Sequence, residues 1–198
     1  DPRRPGAAYN RPMSLPARMK AAALTRRGRI RVIEAAAPRP GPGDVLVRLR
    51  AVGICRSDLH YYEHGRIGNQ VIRRWPQVLG HEPAGEVAGW SRGVRGFRLG
   101  ERVAVEPAIP CGRCRECRAG RGNVCARVRF LGMPGRPGAF AEYLAMPAVN
   151  LVKVGARVSF AEAAALEPMA IGLHAVRLVR APLGRALVIG AGPIGLCV

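Results

Sequence analysis

Three residues whose side chains bind metal ions lie in two short segments of the sequence. Cys55 stands in one segment, and the adjacent residues His81 and Glu82 stand in the other. A thiolate, an imidazole and a carboxylate on one Zn²⁺ leave a coordination position open for water or substrate, which is typical of a catalytic zinc. Each segment also has an ordinary interpretation, Cys55 as a small buried side chain and His81-Glu82 as part of a turn, and spacing alone leaves both open.

Four further cysteines follow the pattern C-x2-C-x2-C-x7-C: Cys111, Cys114, Cys117 and Cys125. Four thiolates can close a tetrahedron around one Zn²⁺ with no open position, so the spacing predicts a structural zinc. Disulfide bonds explain the pattern less well, because neighbouring cysteines in an x2-x2 run are awkward to bridge. An iron–sulfur cluster is the alternative metal group.

A glycine-rich loop, G-A-G-P-I-G, stands near the end of the chain, with glycines at Gly190, Gly192 and Gly195. It follows a predicted buried strand over 185–189 and precedes a predicted helix that opens at Pro193. This is the context that a dinucleotide-binding loop requires, although a plain strand–helix turn has the same pattern. The acidic residue that reads the cofactor ribose is expected about twenty positions after the first glycine. That position lies beyond Val198, so NAD and NADP both stay open.

Short strands must position the two metal-binding segments. Six are predicted, over 21–24, 30–33, 45–52, 78–79, 85–88 and 102–105. They are separated by glycines, by a turn near Gly28 and by a Pro/Gly loop over 38–44, so they favour an irregular β-barrel over a helix bundle.

The character of the sequence changes near residue 160. Ser159 and Glu162 form a capping box that predicts the start of an Ala-rich helix. Pro168 is predicted to interrupt it and to open a second helix that runs to about Val179, before a break over 181–184.

The predicted organisation has three parts. Residues 1–18 form a disordered tail, and residues 19–165 form the barrel domain, whose cysteine-rich lobe covers about 107–130. Residues 166–198 begin a Rossmann-type domain, within which the chain is expected to end.

Composition excludes some partners. The net charge is +19, but the arginines are scattered and aromatic residues make up only 5% of the chain, so no nucleic-acid partner is predicted. No apolar run approaches the length of a membrane span, and no signal peptide is visible. We therefore expect a cytoplasmic protein without a membrane partner.

These motifs together resemble the zinc-containing medium-chain dehydrogenases. The resemblance rests on Gly53 to Asp58, on Gly80-His81-Glu82, on the four-cysteine lobe and on the glycine loop, in that order over residues 19–198. The stretch 60–68, HYYEHGRIG, and Leu166-Glu167-Pro168 are most similar to the polyol branch, the sorbitol and xylitol dehydrogenases. The implied fold is of α+β and α/β type: a GroES-like irregular β-barrel followed by the start of a Rossmann domain.

The resemblance implies roles around the first metal site. Cys55, His81 and Glu82 would hold the catalytic zinc, and Asp58 would orient His81 from behind. Glu167 would bind substrate or act as a base through water beside the metal. Because Glu167 would precede a helix N-terminus, its ionised form is expected to be favoured.

The resemblance also implies contacts to substrate and cofactor. Tyr61 would face the polyol, and Ser57 and His60 would relay the proton. Ile194 would pack near the nicotinamide together with the loop glycines. Arg56 would contact the cofactor pyrophosphate, as in related alcohol dehydrogenases; polyol dehydrogenases usually have glycine there.

The implied activity is hydride transfer from a secondary hydroxyl of a polyol to NAD⁺, giving a ketose, with two zinc ions per chain and a tetrameric or dimeric assembly. An alcohol or threonine dehydrogenase is the alternative within the family. A non-catalytic module that binds zinc or nucleic acid is the alternative outside it. We expect the chain by itself neither to bind cofactor tightly nor to turn over.

Overall fold

The computed structural model describes residues 16–179 and 184–198 of the chain. Twelve strands and four helices follow one another within these ranges. The strands are β1 (Arg18–Arg26), β2 (Arg29–Ala36), β3 (Asp44–Gly53), β4 (Arg66–Ile67), β5 (Gln70–Val71), β6 (Gln77–Val78), β7 (Glu82–Trp90), β8 (Arg102–Val105), β9 (Ala108–Ile109), β10 (Arg129–Phe130), β11 (Tyr143–Pro147) and β12 (Leu151–Lys153). The helices are α1 (Arg56–His64), α2 (Arg115–Arg118), α3 (Phe160–Leu178) and α4 (Pro193–Cys197).

Two antiparallel sheets form most of the structure. The larger has five strands in the order β11-β3-β7-β8-β12, and the smaller has three in the order β2-β1-β6. An isolated bridge between Ala21 and Ala141 joins β1 to the segment that leads into β11. The main core lies against the larger sheet, where Val45, Val103 and Met146 are fully buried. The strands lie at the predicted positions, although β1, β2, β3 and β7 are longer than predicted, at 9, 8, 10 and 9 residues.

The central pair β3–β7 determines where the first metal-binding segments lie. Their register aligns Leu49 with Gly85 and Gly53 with Glu82, with irregularities between Leu46 and Val47 and between Leu49 and Ala51. A Cβ on Gly85 would lie 2.1 Å from the carbonyl oxygen of Arg48, so only glycine permits this close approach of the strands.

The six predicted strands are confirmed, since each overlaps β1, β2, β3, β6, β7 or β8. The turn at Gly28 is also confirmed, with a left-handed φ of 73° that suits glycine. Most of the predicted tail lies outside the described residues, and β1 already begins at Arg18.

The prediction that Pro168 starts a second helix is wrong. The helix α3 runs without interruption from Phe160 to Leu178, with Pro168 inside it. Its start is as predicted, because Glu162 N–H donates to Ser159 Oγ at 3.2 Å and Ser159 N–H donates to the Glu162 carboxylate at 2.7 Å. Packing of α3 against β3, β7 and β8 outweighs the loss of one backbone hydrogen bond at the proline. The predicted break over 181–184 falls largely outside the described residues.

The predicted buried strand over 185–189 is also wrong. These residues have no strand structure, and Leu187 and Ile189 are 86% and 92% exposed. A strand is held by hydrogen bonds to its neighbours, and no strand in the described ranges pairs with this segment. The helix predicted to open at Pro193 is present as α4.

No helix in the described ranges combines the length and the apolar character needed to cross a membrane.

Candidate metal centres and cofactor loop

The fold brings Cys55, His81 and Glu82 together. One ligand atom from each lies within 4.8 Å of the other two. Cys55 is the residue just before α1 and is half-buried, whereas His81 and Glu82 stand at the start of β7 and are buried. The β3–β7 register explains the meeting, because it aligns Gly53 with Glu82 and so places the end of β3 beside the start of β7.

Gly53 makes room for the carboxylate of this set. A Cβ at Gly53 would lie 2.0 Å from Glu82 Oε2, which is well inside van der Waals contact. Gly53 was predicted only as part of a motif, without a role of its own. The signal available was a glycine at a strand end two residues before a candidate metal ligand, where backbone and side chain often approach closely.

Asp58 connects the two segments that carry the set. Its Oδ2 accepts the backbone N–H of Cys55 at 3.0 Å, and its Oδ1 accepts the backbone N–H of Gly80 at 3.0 Å. The same Oδ1 lies 3.8 Å from His81 Nδ1, and both side chains are buried. At 3.8 Å the two groups are close but not hydrogen-bonded, and the orienting of the His81 ring by Asp58 stays a prediction. The His81 ring also packs against Phe130, with ring centroids 5.3 Å apart.

Glu167 lies inside α3, half-buried, and not before a helix N-terminus as expected. Burial and the negative charges of Glu82 and Glu106 raise the pKa of Glu167 to about 7. The expectation that a helix dipole favours its ionised form is therefore wrong. A cation held by the neighbouring set would act in the opposite direction and lower this pKa.

The other predicted site residues on α1 have different surroundings. Tyr61 is buried in a small core with Leu24, and burial, followed by the charge of Asp58, raises its pKa. Ser57 is half-buried, whereas Arg56 and His60 are exposed. Contacts of these four residues with a substrate or cofactor stay predictions.

An apolar groove of about 640 Å³ lies between α3 and the strands β8 and β12. Glu106 and Glu167 contribute to its lining, but the Cys55, His81 and Glu82 set does not.

The four remaining predicted ligands also meet. The sulfur atoms of Cys111, Cys114, Cys117 and Cys125 all lie within 4.8 Å of one another. The Sγ of Cys114 is 3.4 Å from that of Cys117 and 3.8 Å from that of Cys125. The six cysteines all lie among the described residues and are free, so no disulfide joins any of them there. Four sulfurs on one tetrahedral Zn²⁺ are about 3.8 Å apart, and the donor set therefore fits this ion.

The lobe that holds these sulfurs is closed at its base by a two-stranded pairing of β9 with β10. Backbone N–H groups of Arg113 and Cys114 lower the pKa of Cys111 to about 6. Desolvation and the neighbouring Cys114 thiol raise the pKa of Cys117 to about 12. Thiols crowded so closely cannot all ionise by themselves, and a dication among them favours the thiolate forms.

The three glycines of the loop have the geometry expected of a dinucleotide loop, although the strand expected before it is absent. Gly190 has a left-handed φ of 106°, which makes the tight turn. A Cβ on Gly192 would meet nothing within 4 Å, so the space in front of α4 is open. A Cβ on Gly195 would lie 1.9 Å from the carbonyl oxygen of Gly190, so this position packs the helix against the turn. Ile194 is 45% exposed.

Comparison with known proteins agrees with this geometry. A profile of the alcohol dehydrogenase GroES-like domain matches residues 41–156, more than half of the chain. The chain belongs to this family. The matched region includes both sets of candidate metal ligands, and the irregular barrel is the fold of the GroES-like domain.

One relative of this chain is the sorbitol dehydrogenase of Bacillus subtilis, which is 42% identical to it over 184 residues. The aligned region covers 92% of this chain and 52% of the relative. Two solved structures are similar as well. One is a short chain alcohol dehydrogenase from E. coli CFT073 in complex with NADH, with TM-score 0.82 and 35% identity over 92% of this chain and 52% of that one. The other is a putative zinc-binding dehydrogenase from Sinorhizobium meliloti bound to NADP, with TM-score 0.81 and 37% identity over 92% and 52%. The chain spans about half the length of the curated relatives it matches.

Proposed function

We propose that the complete gene product carrying this chain is a zinc-dependent polyol dehydrogenase. It transfers hydride from a secondary hydroxyl to NAD⁺ and gives a ketose. The observation that carries the proposal is the convergence of the Cys55, His81 and Glu82 donor atoms within 4.8 Å. The similarity to a sorbitol dehydrogenase supports a polyol as the substrate class.

The residues fit a zinc ion by the chemistry of their donors. A thiolate, an imidazole and a carboxylate are all Zn²⁺ ligands, and three protein ligands are typical of a catalytic site. When bound, zinc lowers the pKa of a hydroxyl that it coordinates. The four sulfurs of the lobe would hold a second, structural zinc. A nicotinamide dinucleotide on the Gly190–Gly195 loop would supply the redox chemistry; both NADH and NADP occur among similar structures.

In this proposal, some side chains position the metal ligands and others move the proton. Asp58 orients His81 through its Oδ1, and Gly53 leaves the space that the Glu82 carboxylate occupies. Glu167 lies near the negative charges of Glu82 and Glu106, which with burial raise its pKa to about 7. Its proposed role is that of a base or a water-positioning group. Ser57 and His60 on α1 relay the proton towards solvent, since His60 is exposed. Tyr61 is the proposed polyol contact.

A related branch, an alcohol or threonine dehydrogenase, is the second candidate. The observation in its favour is Arg56, which is exposed at the first position of α1 and free to meet a cofactor phosphate. Membership of a dimer or tetramer and the division of the chain near residue 165 stay proposals.

The experiment uses the complete gene product with NAD⁺ and follows NADH formation. Xylitol and sorbitol are the test substrates, and ethanol and threonine are the comparison substrates. Turnover on the polyols that is abolished by Cys55→Ser supports both the branch and the catalytic metal. Turnover only on ethanol or threonine moves the protein to the second candidate. No turnover on any of them, with zinc bound only at the lobe, contradicts an enzyme and favours a non-catalytic zinc module.

A further inference from the structure

We infer that His60 and His64 form an accessory binding site for a divalent transition-metal ion on the exposed face of α1. The two residues are four positions apart on a helix, so their side chains project from the same face. Their ring centroids are 5.5 Å apart, with the ring planes inclined by 53°. Neither residue belongs to the set formed by Cys55, His81 and Glu82.

The separation of the rings is close to that of two imidazoles on one ion. With metal–nitrogen bonds of about 2.0–2.1 Å, the two ring centroids lie roughly 5 Å apart. A small rotation of these exposed side chains would bring the two centroids from 5.5 Å to the separation that one ion requires. The helix backbone fixes the two Cβ positions in advance, so little order has to be gained on binding.

Among the described residues, nothing covers the pair, which is therefore accessible to an ion. The His64 side chain is 56% exposed, and His60 is exposed as well. Glu63 Oε2 lies 3.6 Å from His64 Nε2 and adds a negative charge beside the pair. Arg56, four positions before His60 on the same helix, adds a positive charge to this face. Imidazole pairs of this kind suit Ni²⁺, Cu²⁺ and Zn²⁺.

The small number of histidines makes the site testable. The chain has four: His60, His64, His81 and His174. His81 is buried in the Cys55 set, and His174 is a single exposed histidine on α3. A change at His174 therefore removes the same kind of ligand from the surface without touching the pair.

The test is chromatography of the zinc-saturated complete gene product on immobilised Ni²⁺, at a pH where imidazoles are neutral. We expect the unaltered chain to be retained, and His64→Gln to elute at an imidazole concentration lower by on the order of tenfold, because one of two nitrogen ligands is lost. The matched control His174→Gln should elute with the unaltered chain. Circular dichroism checks that each variant is folded. Elution of His64→Gln together with the unaltered chain, or an equal loss in His174→Gln, would overturn the site.

A consequence for turnover rests on the proposed function, in which His60 is a proton relay. A metal on the pair takes up a nitrogen of that relay, so micromolar Ni²⁺ should inhibit the zinc-saturated complete gene product. His64→Gln should relieve the inhibition and keep the basal rate. If the column result holds and Ni²⁺ does not inhibit, the metal site stands and the relay role of His60 is wrong.

Discussion

The carboxylate of Asp58 lies against Gly80, whose backbone N–H donates a 3.0 Å hydrogen bond to Asp58 Oδ1. The other carboxylate oxygen accepts the backbone N–H of Cys55 at the same distance. One buried side chain therefore holds the segment before α1 to the segment before β7. Because both halves of the candidate zinc site depend on this carboxylate, its loss should disturb all three donors together.

Asp58→Asn should weaken zinc binding at the Cys55, His81 and Glu82 set by about 10–100-fold. The NH₂ group of the asparagine would face one of the two backbone N–H groups and could not accept its hydrogen bond. We also expect the free energy of unfolding to fall by ~1–3 kcal/mol. Zinc retained against a competing chelator measures the first effect, and urea denaturation measures the second. The control is Asp44→Asn, since Asp44 also accepts a backbone N–H, from Gly41 at 3.0 Å, away from the site. Equal zinc retention in both variants would contradict the positioning role of Asp58.

Gly53→Ala should displace the Glu82 carboxylate, because the new Cβ would lie 2.0 Å from Oε2. The expected result is a folded chain in which zinc content falls from two ions to one, with the lobe still loaded. Gly89→Ala is the matched control on β7, where a Cβ meets nothing within 4 Å. Metal analysis with a thermal melt distinguishes loss of the ion from loss of the fold. Two zinc ions in Gly53→Ala would mean that Glu82 is not a ligand.

Cys114→Ser should destabilise the chain, whereas Cys55→Ser should leave it folded. The lobe over 107–130 has little core of its own, so its sulfur ligands supply much of its order, and we expect a loss of several kcal/mol, at least ~3. The Cys55 set lies at the end of a barrel that is stabilised by its apolar core, so the loss of this ligand should not unfold it. Cys197→Ser is the control, because Cys197 belongs to neither set. Denaturation curves of the three variants give the answer, and similar midpoints for Cys114→Ser and Cys55→Ser would contradict separate structural and catalytic roles.

Gly195→Ala should disrupt the glycine loop, because the new Cβ would lie 1.9 Å from the Gly190 carbonyl oxygen. In the complete gene product we expect dinucleotide affinity to fall by about tenfold or more, since the turn and α4 no longer pack closely. Titration with NADH followed by fluorescence measures this. Gly184→Ala is the control, because its Cβ would meet nothing within 4 Å. Unchanged NADH affinity in Gly195→Ala would remove the loop from the cofactor site.

Much of the candidate site could be predicted because its residue types are rare and chemically specific. A cysteine, and a histidine next to a glutamate, suggested one metal site, and the structure brings Cys55, His81 and Glu82 together. The strands could be predicted from short apolar runs between glycines, and the start of α3 from the pair Ser159 and Glu162. These sequence patterns are local, and the structure they predict depends little on distant parts of the chain.

The features that could not be predicted depend on neighbours that are distant in sequence. Helix α1 was missed because only Asp58 and Tyr61 are buried on it, so no apolar period marks it. Residues 185–189 have the composition of a strand but no pairing partner among the described strands. Pro168 stays inside a helix because the sheet beneath α3 holds it. The space that Gly53 leaves for Glu82 follows from the β3–β7 register, which the sequence does not display.

The two donor sets differ in how much chain must be in place before they exist. Cys111 and Cys125 are only 14 positions apart, and the pairing of β9 with β10 closes the lobe nearby. The Cys55 set forms only when β3 and β7 have paired in the correct register. The donors of the lobe therefore meet within one short segment, whereas those of the Cys55 set need two separate strands to pair first.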